Sequence, residues 1–276
     1  MSHSTRTRIL IRFLAANLVV IALGVCVAAQ SEGPPSSSEL EAISARGKLL
    51  SAYDVAAWHA TDAVQSLPAD KTRVGRYIAR QSGNGWRVAF GKLNEAQDKF
   101  LVAYEASQGA TPVQFTVASF DPPKEDTGFY LAGANAIDTA LADFKGEKRP
   151  YNAAVLPADR GKLFVYVYPA QTKASAYPMG GDVRYLISAD GKTIIEKRQL
   201  HKSISENDYS NKSIKVQAGY HTHVLSDLPE DTDVFYVLTR KPPIPEYVTS
   251  SKFMYQISPS GSITFMGKTQ DVLKKK

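Results

Sequence analysis

The chain has 276 residues, 43% of them hydrophobic, which is enough apolar mass for one large or two small domains. A single cysteine excludes any internal disulfide, so stability has to come from a core, or from a core plus metal. The net charge is +6, and the +3 that remains without the three arginines near the start is too small to argue for nucleic acid on its own.

Arg6, Arg8 and Arg12 precede an apolar run from Phe13 to Ala29 that ends in the small residues Val27, Ala28 and Ala29. A basic start, an apolar middle and a small-residue exit predict a secretory signal peptide over residues 1–29. A retained membrane anchor is one alternative, since the run approaches bilayer-spanning length. A lipoprotein at Cys26 is another, although Val25 stands where that motif wants a small residue. Cleavage leaves 247 residues (276 − 29) and removes three arginines and the cysteine, so the charge falls to +3 (6 − 3). The expected location is periplasmic or secreted, with no membrane span after cleavage and no nucleic acid. The partner or substrate would be one met in the cell envelope.

Residues 30–37 are small and polar and read as a disordered linker. Ser38 and Glu41 form a capping-box pattern. Leu40, Ile43, Leu50, Tyr53, Ala57, Ala60 and Val64 then recur at helical spacing, predicting an amphipathic helix that Pro68 stops. Gly47 is expected to weaken or bend it. His59, beside Trp58, reads as a surface or packing residue.

Strands are expected at Arg76 to Gln81, Trp86 to Phe90, Phe100 to Glu105 and Phe115 to Phe120, with an Asn84-Gly85 hairpin signal. Asp121-Pro122-Pro123 reads as a joint, because each proline restricts its predecessor to extended conformations. A second helix is predicted from Thr127 with Tyr130, Leu131, Ala134, Ile137, Leu141 and Phe144 on one face, closed by Gly146. Hairpins follow at Tyr151 to Tyr168, at Val183 to Arg198 and at Phe253 to Met266. Residues 178–182 read as a turn or bulge and 202–213 as a mobile loop. Val216 to Leu225 and Val234 to Leu238 read as strands. The resulting fold class is α+β, with antiparallel or mixed sheets and two main amphipathic helices. A helix-plus-meander unit (38–120) is followed by a larger mixed unit (121–276), and the two could pack as one globule.

His221-Thr222-His223 is the stretch with the clearest chemical content. On a strand, residues i and i+2 share a face, so both imidazoles would project together. Two histidines, a carboxylate and a water make a common zinc site that activates the water. Asp233 could supply the carboxylate, with Asp227, Glu230 and Asp231 as competitors, and His201 could be a third histidine ligand. The opposite reading puts both histidines on the outer face of a half-buried strand, with Tyr220, Thr222 and Val224 toward the core. Asp182 and Glu196 read as turn or strand-surface positions.

His221-x-His223 followed by Pro229-Glu230-x-x-Asp233 resembles the metal signature of the JAMM/MPN (JAB) family, over about fifteen residues. The resemblance implies zinc held by His221, His223 and Asp233, with peptidase or isopeptidase chemistry and an upstream glutamate as general base. Glu196 is the upstream candidate for that base. Glu230 stands where the family has serine, Val224 where it has proline, and the loop is one residue short. Elsewhere the chain resembles an exported bacterial envelope protein. Two functions follow, a zinc-dependent hydrolase and a non-enzymatic envelope protein whose tyrosine-rich strands bind a partner.

Overall fold

A capping box opens the longest helix of the computed structural model, which describes residues 33–68, 70–211, 213 and 215–274. The expected leader, residues 1–29, lies outside the described residues. Ser36 Oγ accepts from the Glu39 N–H while the Glu39 carboxylate accepts from the Ser36 N–H. Helix α1 (Ser37–Gln65) therefore begins earlier than the Ser38/Glu41 pattern suggests. All seven apolar positions that set its predicted period are buried.

Strands β1 (Arg76–Ser82), β2 (Gly85–Leu93), β3 (Phe100–Gln108) and β4 (Phe115–Asp126) form an antiparallel meander in that order. The β1–β2 loop is Gly83–Asn84, with Gly83 at φ +60, a left-handed value glycine adopts without strain. Pro122 and Pro123, expected at a joint, lie inside β4. That strand is an edge of its sheet, and the register slips opposite Val102 to Tyr104, so the prolines sit where ladder donors are not needed.

Helix α2 (Phe129–Asp143) is started by the Asp126 carboxylate, which accepts from the N–H groups of Gly128, Tyr130 and Leu131. It ends at an extended Phe144, without the left-handed glycine cap expected at Gly146. A second sheet follows in the order β5 (Tyr151–Pro157), β6 (Leu163–Pro169), β8 (Val183–Ile187), β9 (Ile194–Gln199), all antiparallel. Strand β7 (Ala176–Gly180) pairs with β10 (Ile204–Asp208) in a two-stranded ribbon. The segments expected as a turn at 178–182 and a loop at 202–213 thus find each other across more than twenty residues.

The last part of the chain is β11 (Gly219–Thr222), α3 (Asp231–Thr239), β12 (Glu246–Thr249), β13 (Phe253–Ile257), β14 (Ile263–Lys268) and α4 (Thr269–Leu273). Strand β11 is shorter than the expected Val216 to Leu225. It pairs with β12 in parallel, so α3 is the crossover between them. Val234 to Leu238 is therefore helical, and β12, β13 and β14 complete an antiparallel edge. The fold is α+β, with mixed and antiparallel sheets and four helices among the described residues.

From Pro34 onward the chain forms one compact unit. Strand β1 lies beside β5, and successive residues of each point into different cores. Ala79, Ala154 and Leu156 join the core under α1, while Ile78 and Val155 join the core under α2. The amino-terminal end of α1 reaches further, burying Leu40 and Ile43 with Val234, Val237, Val248 and Tyr255 in a third core. Gly47 makes that reach possible. A Cβ there would stand 2.4 Å from the Asp231 carbonyl oxygen and 2.5 Å from Val234 Cβ, so α1 and α3 touch backbone to backbone. The residue expected to weaken α1 is its crossing point with α3. Among the described residues no helix is long and apolar enough to cross a membrane.

Candidate metal centre

Four side chains from three separate places converge beside α3. His201 follows β9, His221 lies in β11, His223 follows β11, and Asp233 stands in the first turn of α3. Their ligand atoms all lie within 4.8 Å of one another. The Nε2 atoms of His221 and His223 are 3.1 Å apart, and those of His201 and His223 are 3.0 Å apart. The Asp233 carboxylate lies 2.9 Å from His201 Nε2, 3.0 Å from His221 Nε2 and 3.2 Å from His223 Nε2. His223 and Asp233 are buried, while His201 and His221 keep a narrow exposed edge.

Each imidazole is oriented by its other nitrogen. His201 Nδ1 meets Asp182 Oδ1 at 2.8 Å, His221 Nδ1 meets Glu246 Oε1 at 2.9 Å, and His223 Nδ1 meets the Leu228 carbonyl oxygen at 2.8 Å. Ionised carboxylates and a carbonyl can only accept, so all three Nδ1 atoms donate. In the neutral rings that leaves three Nε2 lone pairs aimed into one space beside a carboxylate. Such an arrangement repels itself unless protons or a cation lie between. It is also the pattern by which outer partners fix the tautomer of metal-ligating histidines.

Asp233 adds an independent sign. Its Oδ2 accepts from the Glu230 N–H at 2.7 Å, which fixes the carboxylate at the helix start, where the helix dipole favours an anion. Its Oδ1 is buried and close to two histidine nitrogens, yet has no partner with hydrogen-bond geometry among the described residues. An orphaned buried carboxylate oxygen is costly unless a cation meets it.

Charge bookkeeping agrees. Glu246 pairs with Arg240, Glu230 with Arg198, and Asp231 with Arg46 and Arg184. Asp182 and Asp233 are also buried, but among the described residues they pair only with histidines. Two carboxylates and three neutral imidazoles carry a charge of −2, which a divalent ion balances. Without an ion, protons have to do it. Burial opposes protonation of His201, but Asp182 and Asp233 outweigh it and hold its pKa well above the usual value. Burial likewise opposes protonation of His221, whose pKa Asp233 and Glu246 push up to about 9. Burial would raise the Asp233 pKa, but the three histidines hold it well below the carboxylate range.

The structure thus brings together His221, His223 and Asp233, the three residues predicted as ligands, with His201, the possible third histidine ligand. The competing acids point elsewhere: Asp227 to Lys252, Glu230 to Arg198, and Asp231 to arginines and the Tyr166 hydroxyl. Glu196, the candidate base, is exposed on β9 and is not part of the group. The outer-face reading of the histidines is reversed, because Tyr220 and Val224 are exposed at 59% and 74% while His223 is buried. Asp182, read as a turn or surface residue, is buried against His201. Glu246 escaped the sequence reading altogether. Gly219 lets it in, since a Cβ there would fall on the Glu246 carboxylate.

Comparison of the chain with protein-family models, with curated proteins and with solved structures finds no match.

Proposed function

We propose that this is an exported envelope protein built around a structural divalent-metal centre, and that the ion is zinc. The reading rests on one observation: three imidazoles with committed Nδ1 atoms point their Nε2 atoms at a common space beside an orphaned carboxylate oxygen. Three histidine nitrogens and one carboxylate suit zinc, which takes four ligands in structural sites and keeps one position open for water in catalytic ones. Here four protein donors are available, so His201 takes the place that a hydrolytic site leaves to water. No glutamate is poised as a base within the group. The ion would tie the end of β9, the strand β11 and the helix α3 into one corner. Export is supported by the leader-like residues 1–29.

The resemblance of His221-x-His223 and Asp233 to the JAMM/MPN signature favours a second reading, a zinc-dependent hydrolase in which the ion takes a fifth ligand. One experiment separates the two. Leaderless protein, purified without a histidine tag, is assayed for metal by mass spectrometry beside a His221→Ala/His223→Ala double variant. The same preparations are screened for peptidase activity. About one zinc per chain, lost in the double variant, with no peptidase activity in either, supports the structural centre. Zinc-dependent cleavage that the double variant lacks supports the hydrolase. No bound metal after zinc addition and dialysis overturns both.

A further inference from the structure

Away from the metal centre, a groove of about 620 Å³ runs between α1, the β1–β5 seam and the segment before β7. Its wall includes Asp54, Trp58, Tyr77, Asn152, Gln171 and Tyr177. Three of these keep hydrogen-bonding capacity that the described residues do not use up. Asp54 is mostly buried and accepts one hydrogen bond, from the Tyr168 hydroxyl at 2.8 Å, and pairs with no basic side chain among the described residues. The half-buried Tyr77 hydroxyl and Asn152 amide form no hydrogen bond with any described residue. Asp54 keeps one carboxylate oxygen open, and the part-exposed Tyr77 hydroxyl and Asn152 amide lie on the same wall, so one groove offers an acceptor, a phenol and an amide to a polar ligand.

The mouth of the groove has its own signature. Trp58 is 58% exposed, unusual for so large an apolar side chain. The His59 ring stacks on it at 5.0 Å between centroids and 12° between planes, covering one face of the indole and leaving the other to solvent. A flat apolar face beside clustered carboxylate, amide and phenol groups matches a ligand with an apolar face and a hydroxyl-bearing edge. A pyranose ring has both. An organic ammonium would also suit the aromatic rings and Asp54. However, Lys173 and Lys241 also line the groove and would repel it.

We propose that this groove binds a saccharide, with a sugar ring stacked on Trp58 and its hydroxyls meeting Asp54, Tyr77 and Asn152. The assignment is independent of the metal centre, none of whose residues line the groove.

Calorimetric titration of the leaderless protein tests it, using tetramers of β-linked N-acetylglucosamine, β-linked glucose and α-linked glucose, with choline as the ammonium comparison. The expected result is saturable binding of at least one tetramer, weakened about ten-fold or more in Trp58→Ala and in Asn152→Ala, the scale of one lost well-formed contact. Asn152→Ala is included because its half-buried side chain is outside the cores, so loss of binding there is not loss of folding. Binding of choline alone, binding of none of the probes, or sugar binding unchanged in both variants overturns the proposal.

Discussion

Asp231 and Asp233 stand two residues apart in the first turn of α3, and neither side chain reaches solvent. Asp231 receives Arg46 at 2.9 Å, Arg184 at 2.5 Å and the Tyr166 hydroxyl at 2.8 Å, so the chain itself supplies all the positive charge it needs. Apart from the Glu230 N–H, Asp233 faces only imidazoles whose Nδ1 protons are committed elsewhere. The same residue type, at the same depth on the same helix, is matched by arginines in one case and sits in a group that could hold a metal ion in the other. Burial alone therefore does not identify a functional carboxylate; the proton inventory of its neighbours does.

The sharpest way to break this comparison is to remove each acid in turn. Asp231→Ala leaves two arginines facing a vacated site and is expected to cost about 3–5 kcal/mol, somewhat less in so far as Arg46 reaches water. Denaturant unfolding with and without chelator should show that loss in both conditions, with metal binding kept. Asp233→Ala should instead abolish metal binding and make stability insensitive to chelator. In the unaltered protein, chelation should remove the linkage stabilisation, about 4 kcal/mol at free zinc a thousand-fold above its Kd. Equal stability with and without chelator would erase the distinction between the two acids.

Next in size is the contact that carries both acids into place. Gly47→Ala puts a methyl group 2.4 Å from the Asp231 carbonyl oxygen and should cost about 1–3 kcal/mol by forcing α1 and α3 apart. Thermal unfolding would measure it, and an unchanged Tm would show that the helices do not meet so closely. Smaller again, Asp182→Asn and Glu246→Gln weaken the outer partners of His201 and His221. A 10–100-fold loss of zinc affinity is expected for each, read by competition with a chromophoric chelator.

The smallest effect concerns Asp54, which pairs with no basic side chain among the described residues. Burial raises its pKa, against the opposing hydrogen bond from Tyr168. The folded state then holds the proton more tightly than the unfolded chain, so this contribution is present at acid pH and is lost as pH rises through the folded-state pKa. Asp54→Asn should flatten that part of the stability profile and raise Tm slightly at neutral pH, while impairing the groove. A lower Tm at neutral pH would mean that the ionised carboxylate is satisfied after all.

Much of this architecture was legible along the chain. The helical spacing from Leu40 to Val64 and the alternation of the hairpin strands are local signals, and both appear where expected. The pairing of His221 with His223 follows from the two-residue period of a strand. What was hidden depends on partners distant in sequence. A five-residue run such as Val234 to Leu238 is too short for its period to decide between strand and helix; the cap formed by Glu230 and Asp233 and the packing of Val234 and Val237 in the third core accompany the helix. Residues 204–208 look like a polar loop until β7 supplies the facing strand. Asp182 and Glu246 sit 19 and 25 residues from the histidines they orient, and nothing local marks them.

The three orienting partners differ in what a mutation can do to them. Asp182 and Glu246 are side chains, and one codon change can remove either. His223 is oriented by the main-chain carbonyl of Leu228, which every amino acid carries. No point substitution at 228 deletes that acceptor; only a change in the path of the backbone can. The most deeply buried of the three imidazoles is therefore also the one whose tautomer is best insulated from point mutation.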